Sequence, residues 1–154
     1  MSRYIIKHAK ALIEEYNTRN PFELAEAKDI VVIEQPLGED TDGAILDYEE
    51  GRVIILSDKL NEIKRNFVAA HELLHLTIHN DEGAFIRQKN VYEKKKVLES
   101  EGNLFAVELI IDEEFFRTNE GRTIKELSEL TGMPENMISN KFDEVLSKNK
   151  EQYS

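Results

Sequence analysis

Apolar residues recur along this chain with two different periods, and the switches between them lay out the elements. From residue 3 to 17, Tyr4, Ile5, His8, Leu12, Ile13 and Tyr16 share one side of a 3.6-residue period, which predicts an amphipathic helix. Asn17 to Asn20 break it. Asn20-Pro21 predicts a second, short helix through Phe22, Leu24 and Ala25, with Asn20 as N-cap and Pro21 at the first helical position. The run Ile30-Val31-Val32-Ile33-Glu34 is β-branched and predicts a strand. Gln35 to Asp42 holds proline, glycine and acidic residues and predicts a loop. Ala44 to Tyr48 and Arg52 to Leu56 predict two more strands, joined by a hairpin turn at Glu49-Glu50-Gly51. The expectation is a small antiparallel sheet, one edge of which can hold an extended peptide by backbone pairing.

The period then returns to that of a helix. Ile63, Phe67, Ala70, Leu74 and Ile78 recur at helical spacing, and neither proline nor glycine interrupts Lys59 to Asn80. Ser57 or Asp58 is the expected cap. Asn80 to Asn90 predicts an irregular connection, and Lys94-Lys95-Lys96 a solvated helix face. Val97 to Ile111 has helical spacing through Leu98, Phe105 and Leu109. Thr123 to Phe142 has the rhythm of a helix-turn-helix, with starts at Thr123 and Pro134 and the turn at Gly132. Lys148 to Ser154 is expected to be a frayed tail. The fold class is therefore α+β: a three-stranded sheet against two helices, then a C-terminal helical pair.

Length and charge narrow the picture. At 154 residues, the chain has room for one domain with a proper core and a small helical appendage. It has no cysteine, so any metal must be held by His, Asp or Glu. No leader peptide and no membrane span is legible, and a cytoplasmic location is expected. The net charge of −11 argues against non-specific binding to nucleic acid or anionic membrane, and suits a basic protein partner. Residues 117 to 150 carry six basic and six acidic residues, and the second helix offers Lys141 but few other cations. The pair is therefore expected to pack on the rest of the chain or to touch a partner protein, and direct nucleic-acid binding is not expected.

The candidate chemistry lies in the helix after the sheet. His71-Glu72-Leu73-Leu74-His75 fits H-E-x-x-H. Residues four apart share a helix face, so His71 and His75 can point at one metal ion. Imidazoles are good zinc ligands, and Glu72 is placed to take a proton from a water activated by the metal. A catalytic zinc site ordinarily has three protein ligands. His79 lies about 12 Å further along the helix and is out of reach, so a later helix must supply the third. Glu99 and Asn103, four apart, share a face; Glu99 could bind the metal while Asn103 orients a ligand. Glu101 is the rival to Glu99.

HELLH followed by LESEGNLFAVELI resembles the ImmA/IrrE family of zinc metallopeptidases, whose pattern is H-E-x-x-H and then E-x-x-A-[ND]-x-F-A-x-x-L-L. Phe67, Ala70 and Gly43 also fit, and the resemblance spans roughly residues 20 to 112. It implies a zincin-like fold of the gluzincin type. It implies His71, His75 and Glu99 as zinc ligands and Glu72 as the general base. Asn103 falls at the Asn/Asp position, and Glu101 stays an alternative to Glu99. Three positions depart from the pattern: Leu74 replaces the usual Gly, Gly102 stands where Ala is expected, and Asp112 where Pro is common. With the helix-turn-helix rhythm beyond it, the chain is expected to divide into a zincin-like metallopeptidase domain, residues 1–116, and a helix-turn-helix-like extension, residues 117–154. The resemblance also implies an activity: cutting a helix-turn-helix repressor to switch on genes of a phage or mobile element. His79 and Tyr92 are candidates for stabilising the oxyanion. Two other functions fit the sequence, a non-catalytic module that acts on a regulator by contact, and a DNA-binding regulator using residues 123 to 142.

Overall fold

The computed structural model describes the backbone of residues 2–78 and 91–153, with the side chains of residues 3–78 and 95–148. His79 and the connection expected over Asn80 to Asn90 lie outside the described residues. Helix α1 spans Ser2–Tyr16 and buries Ile5, Ala9 and Leu12 along one stripe. It ends where Asn17 turns left-handed at φ 53°, a conformation that asparagine tolerates. Helix α2, Pro21–Ala27, begins as expected: the Asn20 side chain accepts hydrogen bonds from the backbone N–H of Phe22 and Glu23.

Strands β1 (Ile30–Gln35), β2 (Gly43–Tyr48) and β3 (Gly51–Ser57) form one sheet in the order β1-β3-β2. The antiparallel expectation holds for β2 with β3 and fails for β1, which runs parallel to β3. The seven-residue loop 36–42 is the reason. It is long enough to carry the chain across the end of β3, so β3 returns between its two neighbours. Two backbone bonds pin that end: Ser57 N–H to the Asp42 carbonyl (2.8 Å) and Asp58 N–H to the Gln35 carbonyl (3.2 Å). The inner face of the sheet, with Val32, Ile45, Ile54 and Leu56, joins the core.

Helix α3, Glu62–Thr77, follows. Its cap is Asn61, not Ser57 or Asp58. Ser57 is held in the sheet opposite Gln35, whereas the Asn61 side chain accepts from Lys64 N–H at 2.8 Å. Helix α4, Val91–Ile110, starts six residues before the period in the sequence becomes clear. It packs between α3 and α1, with Phe105 and Leu109 fully buried. Arg19 closes its C-terminal end by donating to the carbonyls of Glu108 (3.2 Å) and Leu109 (3.1 Å), and it pairs with Asp112. A short helix absent from the sequence expectation, α5 (Glu113–Thr118), starts at Asp112, whose side chain accepts from Phe115 N–H at 2.9 Å. The departure at Asp112 thus has a structural use as a helix cap.

The C-terminal pair is α6 (Ile124–Thr131) and α7 (Glu135–Tyr153). Thr123 and Glu126 form a reciprocal capping box, and Gly132 ends α6 left-handed at φ 78°. Helix α7 runs to Tyr153, past the start of the expected frayed tail at Lys148. The pair packs on α3 and α4. Lys141, the one cation in residues 135–147, is buried: its ammonium donates to Glu108 of α4 at 2.9 Å and pairs with Glu144 at 3.1 Å. It is therefore turned away from any phosphate backbone. No helix among the described residues is long and apolar enough to cross a membrane.

Candidate active site

His71 and His75 project from the C-terminal half of α3, one turn apart, with ring centroids 4.8 Å from each other. The third group comes from α4. One ligand atom each from His71, His75 and Glu99 lies within 4.8 Å of the others, the one such group of three among the described residues. His71 Nε2 is 3.4 Å from Glu99 Oε2. Two ligand atoms about 2.1 Å from a tetrahedral zinc stand about 3.4 Å apart, so this pair already has the required separation. Two neutral imidazoles and a carboxylate, with no thiolate, suit a zinc ion that keeps one position open. The residues present therefore fit the metal.

Asn103 stands one turn beyond Glu99, and His71 Nδ1 lies 2.9 Å from its Oδ1. An amide oxygen only accepts, so Nδ1 carries a proton; without a metal Nε2 donates to Glu99, and with one bound Nε2 is the nitrogen left to ligate it. Glu101 faces elsewhere, accepting a hydrogen bond from the Tyr4 hydroxyl of α1. Tyr92 lies on the first turn of α4, and its side chain is outside the described residues. His8, the remaining described histidine, lies 3.1 Å from the Thr77 hydroxyl and 5.6 Å from the Phe105 ring.

Electrostatics separate the carboxylates. Burial pushes the Glu72 carboxyl up to about 7; the charge of Glu99 adds to the rise and that of His71 opposes it. The hydrogen bond with His71 holds Glu99 below its ordinary value against partial burial, helped by the charges of His71, His75 and Lys95. Burial opposes the charged form of His71, but Glu99, Glu72 and Asn103 together leave its pKa raised.

Two glycines let these groups meet, and neither role is visible in the sequence period. A Cβ on Gly102 would lie 2.6 Å from both Nδ1 and Cε1 of His71, so α4 can approach the ring this closely only without a side chain there. A Cβ on Gly43 would lie 2.8 Å from Val68 Cγ1 and 3.2 Å from Glu72 Cγ, which seats the start of β2 against the general-base candidate. The sequence signal for Gly102 was its cost: a glycine inside a helix needs a packing reason.

His71, Glu72, Glu99 and Asn103 line a cleft of about 460 Å³. The segment Asp40 to Gly43 and the turn Thr131-Gly132-Met133 of the C-terminal pair also line it. Lys64 lies between them, paired with Asp42 at 3.2 Å, with its stem against Gly132. Sequence reasoning placed neither of these segments, nor Lys64, at the site.

The model of the IrrE N-terminal-like domain, Peptidase_M78, matches residues 25–143. The chain belongs to this family. The M78 chain is also similar to uncharacterized immunity region protein 2 of Bacillus phage phi105, at 31% identity over 134 residues and 84% of each protein. Its fold is similar to that of a solved Mycobacterium tuberculosis transcriptional regulator, with a TM-score of 0.56, 19% identity and coverage of 88% of this chain. The chain spans about half of that regulator, 54% of its length, and the likeness is one of fold. Membership makes this a metallopeptidase-family protein, and its His-His-Glu group could hold the metal.

Proposed function

We propose that this chain is a cytoplasmic zinc endopeptidase of the gluzincin type that cuts a helix-turn-helix repressor at one site and releases genes of a phage or mobile element. The observation that carries the catalytic part is the convergence of His71, His75 and Glu99 beside the half-buried Glu72, with His71, Glu72 and Glu99 lining an open cleft. A phage immunity-region protein among its relatives supports the repressor setting. In this reading His71, His75 and Glu99 hold zinc, in preference to any set using Glu101.

Zinc, when bound, supplies a Lewis acid for the scissile carbonyl and brings the pKa of a water to about 7. Glu72 removes the proton of the attacking water and passes it to the leaving amine nitrogen. A carboxyl raised toward neutrality is suited to both steps. Asn103 fixes the His71 tautomer and ring plane through Nδ1. His79 and Tyr92 remain the candidates for holding the oxyanion. Residues 1–116 carry the chemistry, and residues 117–154 form an extension that lines the cleft through Thr131 to Met133.

Glu72→Gln tests the mechanism. The variant is expected to bind zinc as the wild type does and to lose cleavage by about 10²- to 10⁴-fold. Cleavage at the wild-type rate would overturn the mechanism. Repressor inactivation that persists in this variant, without cleavage, would instead make the chain a module that acts by contact.

A further inference from the structure

One face of the sheet is packed on the helices; the other exposes apolar residues on its two outer strands, β1 and β2, while Ile55 between them is buried. The register places Val31, Val53 and Leu46 side by side across the three strands, and Ile33, Ile55 and Ala44 in the next row. Tyr48 continues the face along β2. These residues alternate with the inner set and point away from α3. Val31 is 57% exposed and Tyr48 61%, and Ile33 and Leu46 are exposed as well. An apolar patch on both outer strands is unusual on a chain that acts alone, and such patches commonly mark interaction sites.

Charge says what kind of partner suits it. Residues 28–59, which hold the whole sheet, carry nine acidic residues and three basic ones. Two of these acids, Glu34 and Asp42, are paired with Arg65 and Lys64 of α3, which leaves a surplus of four. Two of the three cations are turned from the patch. Arg52 lies on the inner face and donates to the carbonyls of Leu76 (3.1 Å) and Lys28 (2.7 Å), and the Lys28 ammonium lies over the Tyr16 ring at 5.6 Å. Asp29 precedes β1, and Glu49 and Glu50 form the hairpin at the same end of the sheet. The patch is thus apolar with an acidic border. Two copies meeting through it would bring their acidic borders together, which opposes self-association.

We propose that the outer face of the sheet is a docking surface for a cationic protein element, an amphipathic helix whose apolar strip is flanked by Lys or Arg. The surface is distinct from the His71–His75–Glu99 group, and its occupancy does not depend on the catalytic reading. Strand β2 joins the two regions: Gly43 lines the cleft, and Leu46 and Tyr48 lie on the outer face.

The test is a nuclear magnetic resonance titration of the full chain with a synthetic 18-residue Leu/Lys helix carrying one apolar strip, and with a Leu/Glu helix of the same pattern. Saturable shifts at Val31, Ile33, Leu46 and Tyr48 with the Leu/Lys helix, and none with the Leu/Glu helix, are expected. The double variant Val31→Gln/Leu46→Gln should weaken binding about tenfold or more. Both side chains are exposed, and Tyr48→Ser provides a second, independent variant. Glu72→Gln should bind the Leu/Lys helix like the wild type, so a failed catalytic reading and a failed docking surface give different results. Shifts centred on the exposed Phe142 and Leu146 instead, equal binding by both helices, or binding unchanged in both sheet variants would overturn the proposal. So would a dimer in sedimentation equilibrium that the double variant abolishes.

Discussion

Gly102→Ala adds one methyl group at the place where α4 meets His71. The new Cβ would stand 2.6 Å from Nδ1 and Cε1 and 2.9 Å from Nε2 of the imidazole. Ordinary contact between such atoms begins near 3.5 Å, so the ring or the helix must retreat by about 1 Å. That retreat stretches the 2.9 Å contact between His71 Nδ1 and Asn103 beyond hydrogen-bonding range. It also moves Nε2 by several times the roughly 0.2 Å that a metal–ligand distance tolerates. Loss of a partner that orients a ligand typically costs about 10- to 100-fold in metal affinity.

Stability alone would not reveal this. Alanine is favoured over glycine in a helix by about 1 kcal/mol, whereas crowding a packed site costs about 1–3 kcal/mol, so the two effects partly cancel. Zinc affinity, measured by competition with a chromogenic chelator, separates them. The expected outcome is a 10- to 100-fold weaker site in a chain whose melting temperature moves by only a few degrees. The visible spectrum of the cobalt-substituted variant should change with it, since ring displacement alters the ligand geometry. Zinc binding within twofold of the wild type, with an unchanged cobalt spectrum, would refute the claim that Gly102 sets this approach. A chain with Ala at this position needs its two helices about 1 Å further apart.

Two further predictions concern charge. Lys141→Met removes the partner of the buried Glu108 and should destabilise the chain by about 3 kcal/mol, with Glu108→Leu added to it restoring most of the loss; urea midpoints of the single and double variants check this. In the metal-free chain, the folded state binds protons at Glu72 and His71 more tightly than the unfolded state does. Stability should therefore fall as pH rises from 4.5 through about 7, the Glu72 window, with His71 extending the fall above 6.5. Glu99 has the opposite sign, but its window lies below 4.5. Urea midpoints in the presence of EDTA should show this slope, and Glu72→Gln should flatten it; an equal slope in the variant would refute the assignment.

Local signals carried most of the fold. Asn20-Pro21, Thr123 and Gly132 act through bonds within four residues of themselves, and the structure uses each where the sequence suggested. The errors arose where a distant partner decides. Nothing within β1 states whether it pairs with β2 or β3, because the same β-branched run satisfies either; the span of loop 36–42 decides. Ser57 is a good N-cap by type, but its position opposite Gln35 in the sheet leaves the capping to Asn61. Helix α5 has only six residues, too few for a period to register.

The candidate site divides in the same way. His71, Glu72 and His75 are fixed relative to one another by a single helix, so their arrangement follows from spacing. Spacing could not decide between Glu99 and Glu101, which stand about 200° apart around α4. The third dimension separates them: one side of α4 meets α3, and the other meets Tyr4 of α1. Gly43, Gly102 and Lys64 are further removed from any local pattern, because each is defined by how near another element comes. Gly43 and Gly102 act by having nothing where a side chain would be, and a missing atom leaves no periodic trace. Their effect is nonetheless specific: one admits the His71 ring to the face of α4, and the other admits Glu72 to the start of β2. A motif supplies the reacting groups, and the closest approaches of the backbone determine whether those groups can face a single ion.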